Sequence, residues 1–231
     1  MILPYFYFDT YYWFLVIPAL LIAVIAQINV KSTFRKYQNV YNRKGLTADQ
    51  VARQILDDNG LSHVAVVHTP GELSDHFDPS ANVVRLSDST YGSPSVGAIG
   101  VAAHEVGHAV QHARGYVPLK IRKTIIPLTQ FGSSLAIPLV LIGLIMSFQP
   151  LVLAGILLFC AVVLFQLITL PVEFNASRRA LQTLGSQHIL EGEELTGAKR
   201  VLTAAALTYV AALVVALANL VRLIALANRR R

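Results

Sequence analysis

Residues 96–112, VGAIGVAAHEVGHAVQH, decide how this chain is read. Within them His104, Glu105 and His108 form HExxH, the shortest sequence signature that states a complete metal-hydrolase chemistry. On a helix, two histidines four residues apart project from one face and can share one Zn2+, and the glutamate one step round faces the water that the metal activates. The local sequence favours such a helix. Ser93-Pro94-Ser95 supplies a start with Ser95 as N-cap, no proline interrupts 96–112, and Gly115 is placed to end it. The run 96–103 is small and apolar nearly all round, which implies a helix buried in protein or near lipid, and at eight residues it is far short of a membrane span.

Working outward, 54% of the 231 residues are hydrophobic, above the roughly 45–50% of soluble domains. Four stretches have the length and character of membrane spans: 11–28, 128–148, 151–170 and 201–226, the last interrupted by Asn219 and Arg222. Residues 1–10 carry no Lys or Arg and no small-residue cleavage site follows them, so the first stretch reads as a retained anchor rather than a signal peptide. Tyr5, Tyr7, Tyr11, Tyr12 and Trp13 would sit at its interface. Cys160, the single cysteine, falls inside the third stretch, so no disulfide framework exists.

The net charge of +6 is not gathered on one basic helix, which argues against a nucleic-acid partner. Eleven of the nineteen Lys and Arg lie between the first and second stretches, and Arg178, Arg179, Lys199 and Arg200 lie between the third and fourth. The N-terminus and the Gln149-Pro150 link have none. The positive-inside rule therefore places both charged regions in the cytoplasm, although Arg229, Arg230 and Arg231 would then end outside after four full crossings.

The expected organisation is an N-terminal anchor (1–29), a small α+β catalytic domain (30–126), a transmembrane hairpin (127–170), a segment and loop carrying the remaining ligand (171–199), and a C-terminal hydrophobic helix with a basic tail (200–231). The fold class is thus a mainly α integral membrane protein with four hydrophobic helices and a small zincin-like domain. Within that domain Thr47 and Gln50 resemble a capping box, and the helix they open stops at Asn59-Gly60. Residues 63–69 and 82–87 read as strands.

A catalytic zinc takes three protein ligands and keeps one position for water. His112 is excluded, because helix rise sets it about 12 Å from His104 along the axis. The third histidine of the metzincin pattern would stand at position 114, which is Arg. The downstream acids are Glu173, Glu191, Glu193 and Glu194; the last three sit in a Gly-punctuated loop, where a solvated charge cluster is the plainer reading. Glu173 follows the third apolar stretch closely, where an acid needs a partner, either a metal or Arg178 or Arg179. Pro171 suits a first helical turn, and Ser177 falls on the face of Glu173.

HExxH followed, after two hydrophobic stretches, by Glu173 in PVEFNASRRA resembles the HtpX group of membrane gluzincins. The chain is more similar still to the YugP-like neutral zinc metallopeptidases of bacterial membranes, through DHFDP (75–79), VVRLS (83–87), AAHEVGHAVQ (102–111), PVEFNASRRA (171–180) and ALTYVAA (206–212). That resemblance implies zinc ligands at His104, His108 and Glu173, one Zn2+ per chain, and Glu105 as catalytic acid and base. Asn175 stands where the family favours Asp, and Ser177 where HtpX-like enzymes have Asp.

Further candidates are the strand residues Asn82, Val83, Val84, Arg85 and Leu86, expected to form an edge that pairs with an extended substrate. Asn175, Ser177, Tyr209 and His76 are candidates for orienting a ligand or hydrogen-bonding an oxyanion, with Tyr209 as an interface tyrosine and DHFD as a polar turn before Pro79 the plainer readings. The reading is a zinc metalloendopeptidase of the bacterial inner membrane whose catalytic domain faces the cytoplasm and whose partners are the lipid bilayer and a peptide or membrane-protein substrate. A role in membrane-protein quality control or processing would follow. Two rivals remain: a zinc-stabilised membrane scaffold, and a site-2-type intramembrane protease, which needs a downstream Asp that is absent after Asp88.

Overall fold

A computed structural model describes residues 9–228. Tyr5, Tyr7 and the basic tail Arg229, Arg230 and Arg231 lie outside the described residues. A π-helical turn, Tyr12–Val16, leads into α1 (Ile17–Gln38). There follow α2 (Ala48–Asp58), β1 (Ala65–His68), β2 (His76–Asp78), β3 (Val83–Leu86), α3 (Val96–Ala113), α4 (Val117–Ile145), α5 (Gln149–Ser186) and α6 (Gly192–Asn228). Four helical segments, Tyr12–Gln38, Val117–Ile145, Gln149–Ser186 and Gly192–Asn228, are long and apolar enough to cross a membrane.

The chain divides into two compact units. The first holds the residues up to 27, 120–170 and those from 207 onward. Its core joins Ala136, Val140, Leu144, Val152, Phe159, Ala216 and Leu223. Small residues let its helices touch backbone to backbone. A Cβ on Gly155 would lie 2.7 Å from the Ala136 carbonyl oxygen, the close approach used where lipid gives helices little hydrophobic reason to associate. Asp9 and Arg222 form a buried ion pair here, with Arg222 Nε 2.7 Å from Asp9 Oδ2.

The second unit holds 28–119 and 171–206. Helix α2 opens on the expected capping residues, the Thr47 N–H donating to Gln50 Oε1 at 3.1 Å, and it stops at Asn59-Gly60, where Gly60 adopts φ +71°. Its face of Val51, Ile55 and Leu56 packs into a core with Val84, Leu86, Ile99, Val106, Leu184 and Leu190. Helix α3 starts as its sequence dictates: Ser95 Oγ accepts the Ala98 N–H at 3.2 Å. Its first turns are buried in protein, with Val96, Ala98, Ile99 and Ala102 fully covered.

Three expectations need correction. The sheet order is β1-β3-β2, with β3 parallel to β1 and antiparallel to β2. The strand Asn82, Val83, Val84, Arg85, Leu86 is therefore central rather than an edge, and its backbone groups are engaged on both sides, so no peptide can add to it. DHFD, read as a turn, contains the edge strand β2. Pro171 does not open a helix; it lies inside the unbroken α5.

Candidate metal centre

Helix α3 carries His104 and His108 one turn apart, and α5 carries Glu173 and Ser177 with the same spacing. The two stripes meet. Glu173 Oε2 lies 3.2 Å from His104 Nε2 and 3.4 Å from His108 Nε2. The imidazole rings stand edge to face with centroids 4.7 Å apart. Gly107 makes this approach possible, because a Cβ there would lie 2.8 Å from the Ala176 carbonyl oxygen, backbone that cannot turn aside. Any larger residue would hold Glu173 and Ser177, which flank Ala176, away from the histidines.

Each imidazole is held from behind. Ser177 Oγ lies 3.0 Å from His104 Nδ1, and Gln111 Oε1 lies 3.0 Å from His108 Nδ1. Gln111 is fully buried, and its amide can be oriented in only one way. The NH2 group donates to the Val172 carbonyl at 2.8 Å and to Asn175 Oδ1 at 3.0 Å, so the remaining oxygen must face His108. An amide oxygen only accepts, which places a proton on His108 Nδ1 and turns Nε2 toward Glu173. Asn175 Oδ1 also accepts from Arg179 Nε at 2.8 Å.

The electrostatics follow from that arrangement. Two imidazole nitrogens and a carboxylate oxygen crowd one point, an arrangement that a cation or shared protons would hold together. In the chain without metal, burial opposes the imidazolium form of His108, yet the Glu173 hydrogen bond and the charges of Glu105 and Glu173 raise its pKa above the usual value. Burial likewise opposes the Glu173 carboxylate, and hydrogen bonds from His104 and His108 hold its pKa far below the carboxylate range. Donor chemistry fits Zn2+: two imidazole nitrogens and one carboxylate oxygen, all within 4.8 Å of one another. The 3.2 and 3.4 Å separations match the edge of about 3.3–3.4 Å expected of a tetrahedron with bonds of about 2.0–2.1 Å.

Glu105 is buried beside this cluster, and its Oε2 accepts the Phe77 N–H of β2 at 3.0 Å. Of the sheet's two edges, β2 is thus the one anchored to the HEVGH helix. His76, His112 and the loop acids go elsewhere. His76 is exposed, with Nδ1 2.8 Å from the Ser74 carbonyl. Exposed His112 places its ring 5.8 Å from that of Phe77. Glu191 pairs with His188 at 2.7 Å, Glu194 accepts the Arg43 N–H at 3.0 Å, and Glu193 is exposed. Tyr209 belongs to the first unit. Gln111 was not singled out in the sequence; its signal was the i+3 spacing from His108, which puts it on the histidine's side of α3.

Comparison with known proteins agrees with this geometry. The family described as "Putative neutral zinc metallopeptidase" matches residues 12–228. The "Putative membrane protease YugP" of Bacillus subtilis (strain 168) is 49% identical over 211 residues, covering 91% of this chain and 94% of that protein. No solved structure matches. Four apolar helices and a match that runs through all of them make this chain a membrane protein that belongs to the neutral zinc metallopeptidase family.

Proposed function

We propose that the chain is a zinc metalloendopeptidase of the gluzincin type, with His104, His108 and Glu173 as the zinc ligands and Glu105 as catalytic acid and base. The observation that carries this reading is the meeting of Glu173 Oε2 with both Nε2 atoms beside a buried carboxylate. Zn2+, when bound, supplies a Lewis acid that makes water acidic near neutral pH and polarises the scissile carbonyl. Glu105 takes the proton of the attacking water and returns it to the leaving amine. The Phe77 N–H holds one oxygen of Glu105, leaving the other to work. Ser177 and Gln111 keep the imidazoles aimed. The β2 edge, rather than β3, is the strand beside which an extended peptide would lie, using groups other than the Phe77 N–H that Glu105 already holds.

The site is proposed to face the cytoplasm at the inner membrane surface and to act on juxtamembrane or unfolded stretches of membrane proteins. Two features support this: the cations on either side of the 128–170 hairpin, and the three residues that separate Glu173 from the end of the third apolar stretch. Cysteines introduced at positions 75 and 149 test the orientation in intact cells. A membrane-impermeant reagent should reach position 149 only; labelling at 75 would reverse it.

The decisive activity test is zinc content measured beside cleavage of casein or of the chain itself. Glu105→Gln should retain about one zinc per chain and lose cleavage, because an amide cannot take the proton. Undiminished cleavage would remove Glu105 from the chemistry. A wild-type chain that holds zinc but cleaves nothing would favour the scaffold reading. The intramembrane reading lacks support, since α3 is not among the apolar helices long enough to span and the gathered acid is a Glu beyond the third stretch.

A further inference from the structure

We propose that the cleft behind the HEVGH helix, between α2, α3 and α5 of the second unit, binds a phosphoryl-type oxyanion, and that its occupancy is felt at His108. The cleft has a volume of about 190 Å3. Val106, Gly107 and Val110 form its floor, and Arg114, Arg179 and Thr183 are among its polar lining. No acidic residue lines it.

Both guanidinium groups have donors to spare. Half-buried Arg179 gives Nε to Asn175 Oδ1, and Arg114 gives one terminal nitrogen to Asn59 Oδ1 at 3.2 Å. Among the described residues neither pairs with a carboxylate within 4 Å. A guanidinium carries five N–H groups, so each keeps a planar set of donors that the chain's own acceptors do not meet. Two such cations, exposed Arg114 and half-buried Arg179, line one cleft with no acid, and beside Arg179 an anion is screened less than at open surface. A carboxylate's two oxygens would fill one fork. The three terminal oxygens of a phosphoryl group can serve both and still accept from Thr183.

The link to the metal centre is a chain of hydrogen bonds that meets at Asn175: His108 Nδ1 donates to Gln111 Oε1, and the Gln111 amide and Arg179 Nε both donate to Asn175 Oδ1. With Nε already held by Asn175, an anion takes the two terminal nitrogens of Arg179 and pins it in place. Occupancy should therefore tighten the hold of Gln111 on His108, and by reciprocity zinc should tighten the anion. This coupling rests on His108 as a zinc ligand; binding of the anion does not.

The test uses the full chain in an uncharged detergent with three probes read by calorimetry: inorganic phosphate, dihexanoylphosphatidate and acetate. Saturable binding of either phosphate probe is expected, with acetate at least tenfold weaker. Phosphate binding marks a free oxyanion as the source, and phosphatidate alone marks a lipid headgroup. Arg114→Gln combined with Arg179→Gln should weaken binding at least tenfold, with each single change intermediate. Glu173→Ala should leave it intact. Failure of both probes, parity with acetate, or survival in the double variant would overturn the site. So would loss in Glu173→Ala alone, which would put the anion on the metal. For the coupling, chelator competition should show zinc held several-fold more tightly with the anion present in wild type and not in Arg179→Gln; an unmoved zinc affinity would break the link. A chain that takes up no zinc fails the metal reading and leaves the binding measurement standing.

Discussion

Among the described residues, charge is buried in two places, and the two settle it in different ways. In the first unit, the carboxylate of Asp9 is saturated: Oδ1 accepts the Tyr12 N–H at 3.0 Å, Oδ2 accepts Arg222 Nε at 2.7 Å, and the guanidinium lies 5.0 Å from the Tyr12 ring centroid. In the second unit, Glu173 Oε2 lies 3.2 and 3.4 Å from two imidazole nitrogens, and Gln111 holds the far nitrogen of the His108 ring. One region brings opposite charges together and is complete. The other gathers a carboxylate with two imidazole nitrogens, a donor set that suits a metal cation. A buried carboxylate closed by a guanidinium reads as structure, and one gathered with two imidazoles reads as a candidate metal site.

The sharpest way to break that contrast is to remove one member from each region. Glu173→Ala should abolish or greatly weaken zinc binding, whereas Ala at Glu191, Glu193 and Glu194 together should leave it nearly intact; equilibrium dialysis reads both. Glu105→Gln, with metal retained, should lower cleavage by about 10²–10⁴-fold. Asp9→Ala or Arg222→Ala breaks a buried ion pair and should cost about 3–5 kcal/mol of stability without changing zinc stoichiometry. The double replacement Asp9→Leu with Arg222→Met should recover most of that loss in a thermal melt, and failure to do so would give the pair a role beyond packing.

Smaller changes sharpen the picture of the open region. Gly107→Ala sets a methyl against the Ala176 carbonyl and should cost about 1–3 kcal/mol, with zinc affinity falling because α5 must move. Gln111→Leu should lower zinc affinity about 10–100-fold with the helices intact by circular dichroism. Ser177→Ala should have the least effect, since one hydroxyl bond is lost where Gln111 makes three.

What the sequence revealed and what it hid have a common cause. HEVGH, its N-cap at Ser95 and the apolar turns before it are local signals, and α3 follows them. Glu173 and Ser177 were legible because spacing along one helix carries directly into space. β2 was not, since HFD is three residues long, too short for its alternation to stand out before Pro79; reading it as a turn left β3 as an apparent edge. Gln111 on a helix looks like a solvent-facing residue until α5 covers it. Asp9 lies two residues before the first apolar stretch, and its partner is 213 residues away. Ser133 and Ser134, polar residues that suggest bonds between helices, instead bond back to the Gln130 carbonyl of their own helix.

His104 and Glu173 are 69 residues apart, with all of α4 and the apolar part of α5 between them. A ribosome that has delivered the HEVGH helix has therefore made two of the three donors, and the third emerges only after both apolar helices have been synthesised. Until then the nascent chain displays a histidine pair with no carboxylate opposite and no Ser177 behind His104. The candidate metal centre is thus completed late in translation, and a chain truncated within the hairpin carries HExxH yet lacks the carboxylate that Glu173 brings to it.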